Sequence, residues 1–128
     1  MSTLKVNNLQ DINGANNSTP VEVANGRAKA WLKMNGTGTI AINNSFNISS
    51  ITDNGTGNYT GNMSITMTDN NFCVVGGASQ GRTQNDNVMG FTPSTTTSFR
   101  LISNGTTGNL NAGEDVGLLS AAVFGDLA

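Results

Sequence analysis

Apolar side chains in this chain recur at every second residue, in short runs that Gly, Asn and Asp cut off, and this rhythm constrains its fold more than any other feature. Period two places successive side chains on opposite faces of a strand, so one face can be apolar while the other meets water. The segment Arg27–Ile40, RAKAWLKMNGTGTI, shows the pattern most clearly. Ala28, Ala30, Leu32 and Met34 fall on one face, and Lys29, Trp31 and Lys33 on the other. A helix is the rival reading, because Ala, Leu, Lys and Met are good helix formers. The alternation and the NGTG that follows favour a strand.

The same reading continues along the chain. Thr39–Ile51 alternates at Ile40 and Ile42, then at Phe46, Ile48 and Ile51, and Tyr59–Met67 alternates at Met63, Ile65 and Met67. The apolar run NFCVVGGAS (Asn71–Ser79) suits a strand buried on both faces. Thr97–Ser103 sets Phe99 and Leu101 opposite Arg100 and Ile102. The tail LLSAAVFGDLA fits a short helix or a last strand, and its short run before Gly125 favours the strand. Between Ser79 and Thr97 the sequence is polar and predicts a long loop. The expected fold is all-β: a single antiparallel β-sandwich of about seven short strands over residues 26–128. Residues 1–25 are expected to form an extended N-terminal arm, in which LKVNNL (Leu4–Leu9) is an attachment strand and DINGANNSTP starts a turn-rich linker.

NGTG occurs at Asn35–Gly38 and again at Asn54–Gly57, with a looser NGTTG at Asn104–Gly108. A Walker A loop needs a Lys after its last Gly, and a dinucleotide fingerprint needs a third Gly; neither is present. Asn-Gly instead suits a type I′ hairpin turn, which requires positive φ at both central residues. Several N-x-[ST] matches, such as Asn35–Thr37, are expected by chance in a chain so rich in Asn and Thr.

Chemistry is hard to build from this composition. The chain has no His, so the commonest general base and the Ser-His-Asp and Cys-His pairings are missing. Its one cysteine, Cys73, cannot form an intrachain disulfide and is expected to be a small buried hydrophobe. Zinc sites want His or several Cys. Calcium is the one ion considered, through Asp53–Asn58, Thr68–Asn71 or Gly113–Asp115, and none of these matches an EF-hand loop. No cofactor is expected, and nothing selects a catalytic pair among the eight acids. A net charge of −2 gives no basis for nucleic-acid binding. The N-terminus lacks a signal-peptide-like apolar run, and no segment approaches the ~20 apolar residues of a membrane-spanning helix. No membrane insertion is expected. Trp31 with Arg27, Lys29 and Lys33, and Arg82 further along, could form a partner-contact surface, although a Trp covering a sheet face with Lys stems beside it is the plainer reading.

The longer strings MSTLKVNNLQDINGAN, GRAKAWLKMNGTGTIAINNSFNISSITDNGTGNYT and AAVFGD resemble a family of small virion proteins of marine tailed bacteriophages, including phages of cyanobacteria. The run from Gly26 to Thr60 carries most of this resemblance. It implies a non-enzymatic, tail-fibre-like or receptor-binding component, made in the host cytoplasm and assembled into the virion with other virion proteins, often as a homotrimer, with a host surface glycan as a further contact. A capsid decoration protein is the alternative. A carbohydrate-binding module or glycan-cleaving enzyme is a third. Leu4, Val6 and Leu9 are the expected assembly residues, through strand addition to a neighbouring sheet edge.

Overall fold

The computed structural model describes residues 2–10, 12–15, 17–79, 88–104 and 113–128, with the backbone alone for Ser79, Val88 and Met89. The described residues form eight strands: β1 (Ala30–Asn35), β2 (Ala41–Phe46), β3 (Ile48–Asp53), β4 (Asn58–Met63), β5 (Cys73–Ser79), β6 (Val88–Thr95), β7 (Ser98–Asn104) and β8 (Leu118–Phe124). One short helix, α1 (Pro20–Gly26), precedes them. Sheet I has the order β2-β1-β8-β5 and sheet II the order β3-β4-β7-β6. Every lateral pairing is antiparallel, and the two sheets pack against each other.

The alternation builds this directly. In β1, Ala30, Leu32 and Met34 are buried while Trp31 and Lys33 are exposed. β8, the other central strand of sheet I, turns Leu119, Ala121 and Val123 inward. Sheet II answers with Tyr59 and Met63 from β4 and Phe99 and Leu101 from β7, and these side chains form one core cluster with those of sheet I. Each fully buried side chain of this size contributes about 1.5–3 kcal/mol of transfer free energy.

Several expectations change. Thr39–Ile51 is not one strand. Asn47 adopts φ 55, its amide donates to the Lys29 carbonyl (2.7 Å), and the chain passes there from β2 in sheet I to β3 in sheet II. Asn is among the few non-Gly residues that tolerate this left-handed conformation. The segment predicted as a loop contains β6, which holds Pro93; a strand with Pro belongs at a sheet edge, and β6 is one. Residues 80–87 lie outside the described residues. β5 is also an edge strand, and its Val75 and Cys73 are exposed, which corrects the expectation of a doubly buried strand and a buried thiol.

The turns are hairpins of a different kind from the type I′ expected. Asn35–Gly38 belongs to a longer connection with positive φ at Gly38 alone. In it the Asn35 carboxamide bonds Thr37 through its N–H, hydroxyl and carbonyl. At Asn54–Gly57 positive φ falls on Gly55 and Gly57, and Asp53 Oδ1 accepts the Gly55 N–H at 2.9 Å. Side-chain capping by Asn and Asp takes the place of the left-handed Asn.

Before the sandwich, LKVNNL supplies a single β-bridge, Leu9 with Ser18, rather than a strand. The expected linker holds α1, and its sequence says why: Thr19 is the N-cap, Pro20 takes the first helical position, and Glu22 closes a capping box.

Candidate functional site

The sequence-predicted contact surface is only partly assembled. Trp31 and Lys33 project together from the outer face of sheet I. Lys29 does not join them. It is buried, its N–H bonds the Val123 carbonyl (2.8 Å), and its ammonium donates to the Ala24 carbonyl, tying α1 to the sandwich. The alternation stops being a guide there because Lys29 lies before β1 begins. Arg82 lies outside the described residues.

The partners of Trp31 come from other strands. Its register neighbours are Phe46 on β2 and Ala122 on β8, and Ala122 in turn faces Val75 on β5. Residues directly opposite in antiparallel strands share a face. An apolar row, Phe46–Trp31–Ala122–Val75, therefore crosses all four strands of sheet I. One step along lies a polar row, Asn44–Lys33–Ser120–Gly77. Trp31, Val75 and Ala122, with Lys33 and Ser120, line a shallow depression of about 410 Å³. Trp31, Phe46 and Val75 remain 36%, 49% and 46% exposed.

The outer side of sheet II is chemically opposite. Asn62 donates to Ser50 and Thr52 (both 3.1 Å), Asn54 to Thr60 (2.9 Å), and Arg100 to Asn58 (2.9 Å). That face is mostly a polar lattice, interrupted by Ile102, whereas sheet I sets a continuous apolar row beside its polar one.

Leu4, Val6 and Leu9 are all exposed, as are Ile12, Val21 and Val23, and α1 buries none of its residues. The arm thus presents apolar side chains that the described chain leaves uncovered.

The two NGTG loops meet at one end of the sandwich, which the sequence did not signal. The buried Tyr59 hydroxyl lies 2.7 Å from Asp115 Oδ1 and 2.9 Å from the Gly36 carbonyl. The same Oδ1 accepts the Gly57 N–H at 2.7 Å, and the Gly36 N–H donates to Val116 (2.9 Å). Gly36 belongs to the first loop and Gly57 to the second. The Tyr59 hydroxyl and the Gly57 N–H hold the Asp115 carboxyl below its ordinary range. Burial, reinforced by Asp115, pushes the Tyr59 hydroxyl well above the ordinary tyrosine value. Its proton is locked in place, so this latch is suited to fastening loops.

Two of the carboxylates considered for calcium, Asp53 and Asp69, cap turns, and Asp115 belongs to the latch. Asp69 accepts both the Asn71 N–H (2.7 Å) and its side-chain amide (2.9 Å), which lower its pKa, beside a hollow of about 220 Å³ shared with Thr68 and Asp126. Among the described residues no cluster of three or more His, Cys, Asp or Glu is placed to hold a metal. No helix among them is long and apolar enough to cross a membrane.

No family model matches this chain, and no curated protein or solved structure shows significant similarity to it.

Proposed function

We propose that the chain is a non-enzymatic structural protein of a tailed-bacteriophage virion, of tail-fibre-like type, that acts by assembling with other virion chains. The observation that carries this reading is the uncovered apolar surface: the arm residues Leu4, Val6, Leu9 and Ile12, and the Phe46–Trp31–Ala122–Val75 row. Apolar residues aligned across four neighbouring strands, with more on the arm, support a contact role for this surface. The resemblance of Gly26–Thr60 to phage virion proteins supplies the setting. Labelling purified phage particles with an antibody to this chain, and reconstructing them, tests the proposal. Tail density containing the sandwich is the expected result. Absence from purified particles would sink it, and a shell location at many copies would move the reading to capsid decoration.

One observation favours a second reading. Trp31 and Phe46 sit side by side on an open sheet, with Lys33, Asn44 and Ser120 one row away, an arrangement that suits stacking on a sugar ring with polar groups at its rim. Titration of the isolated protein with host polysaccharide separates a glycan-binding module from a purely structural chain.

A further inference from the structure

We propose that the outer face of sheet I is the seat of the N-terminal arm of a second copy of this chain, with Leu4 and Val6 lying over Trp31, Ala122 and Val75. The inference rests on the reading that the chain works by assembly, and it names the partner.

Contacts fix the end of the arm nearest the sandwich and leave Leu4 and Val6 beyond them. Leu9 and Ser18 exchange two backbone hydrogen bonds of 2.7 Å, the Thr19–Glu22 capping box closes the start of α1, and Lys29 ties Ala24 to the sandwich. Leu4 is 84% exposed all the same, while Val6 and Leu9 keep 39% and 45% of their surface open. Among the described residues Leu4 and the outer row of sheet I stay exposed, and a contact between chains would cover both at once.

Area argues for the arm over a flat face-to-face pair. Four strands about 4.8 Å apart and six residues long at about 3.4 Å each make a patch of roughly 400 Å². A stable interface buries about 800 Å² per partner. Two bare faces fall short of that. An extended arm of nine residues reaches up to ~30 Å, and reciprocal exchange lays an arm on each face, adding its surface twice. Charge agrees. Lys33 is the one charged side chain in the two described rows of this face, and an extended arm that seats Leu4 and Val6 turns Lys5 to the opposite side.

The test uses the full chain, whose only Trp is in the seat. Mass by light scattering and Trp31 emission are followed through a dilution series. The expected result is a mass at least twice that of one chain, falling to one on dilution, with the emission moving to longer wavelength as Trp31 is uncovered. The Leu4→Asp/Val6→Asp pair and, independently, Val75→Glu should each give single-chain mass and red-shifted emission at every concentration, with the circular dichroism of the sandwich unchanged. None of the three belongs to the buried core, and the circular dichroism of each variant checks that the sandwich still folds. In a Leu4→Cys variant, a short bismaleimide should join the new thiol to the exposed Cys73 of another chain, giving a dimer on a denaturing gel. A wild-type chain that stays monomeric throughout overturns the proposal, as does an oligomer indifferent to both variants or a cross-link formed within one chain. An oligosaccharide that blue-shifts Trp31 emission at constant single-chain mass also overturns it, in favour of a sugar site. A monomer found in purified particles would refute the arm exchange and leave the virion reading standing; an arm-exchanged oligomer absent from particles would do the reverse.

Discussion

Replacing Tyr59 with Phe tests whether the Asp115 latch joins the two NGTG loops. The ring stays buried and only the hydroxyl is lost, with the single proton that it shares between Asp115 (2.7 Å) and the buried Gly36 carbonyl (2.9 Å). A hydrogen bond to a charged group contributes about 1.5–3 kcal/mol, and stranding a buried acceptor costs about 1–3 kcal/mol. Asp115 is itself exposed, so water replaces part of what it loses, and the expected net loss is about 1–2 kcal/mol at neutral pH. For a domain of this size that lowers the melting temperature by roughly 3–8 °C. The pH profile separates this cause from a packing defect. Asp115 is held below its ordinary value, so its contribution is present above about pH 3.9 and disappears as pH falls through the depressed folded value. Tyr59 is raised, so its contribution is complete below about pH 10 and declines as pH rises toward the folded value. Tyr59 is the only Tyr in the chain, so the phenolic part of the alkaline decline should vanish in the Phe variant. Urea unfolding from pH 3 to 11 measures both limbs. A loss below about 0.5 kcal/mol, or an alkaline slope identical in the two proteins, would refute the latch, since single surface changes already vary by that much.

Three other outcomes follow from the geometry. Gly57→Ala should abolish cooperative folding, because a Cβ there meets the Ser103 carbonyl at 2.2 Å and the Glu114 nitrogen at 2.5 Å, both backbone, whereas Gly55→Ala meets nothing and should cost about 1–2 kcal/mol for its positive φ; circular dichroism melts compare them. Thr19→Ala removes the N-cap of a helix that buries none of its residues, so amide exchange over residues 21–26 should quicken while the melting temperature of the sandwich stays within a degree or so, a cap being worth ~1 kcal/mol of local stability. Leu101→Ala opens the core between the sheets and should cost about 2–5 kcal/mol in urea unfolding, against less than about 0.5 kcal/mol for Val75→Ala in dilute protein.

The readable part of this protein is local. Period two marks Ala30–Asn35 and Ser98–Asn104 as strands with the correct faces inward, because alternation reports only backbone geometry and which side meets water. Asn, Gly and Asp mark where the turns fall. Trp31 and Lys33 were legible as an exposed pair on the same grounds, and so were Leu4, Val6 and Leu9 as apolar residues outside the sandwich. Turn type was less legible, since a side chain that caps a loop and one that adopts positive φ leave the same letters.

Tertiary structure decided the rest, through pairings between distant segments that no local pattern records. A strand's own residues do not say whether it lies at an edge: NFCVVGGAS reads as doubly buried, yet β5 lies outside β8 at the edge of sheet I. Asn47 looked like one more polar residue in an alternating run, yet it is where the chain changes sheets. Phe46 and Val75 join Trp31 through the register of three separate strand pairs, one of them shifted by a bulge between Lys33 and Met34. Lys29 turned inward because α1 offered the Ala24 carbonyl. Tyr59 and Asp115 meet across 56 positions of sequence, fastening two loops whose likeness suggested only a repeated turn. Alternation fixes what each strand can bury; which side chains meet is fixed only when strands far apart in sequence settle side by side.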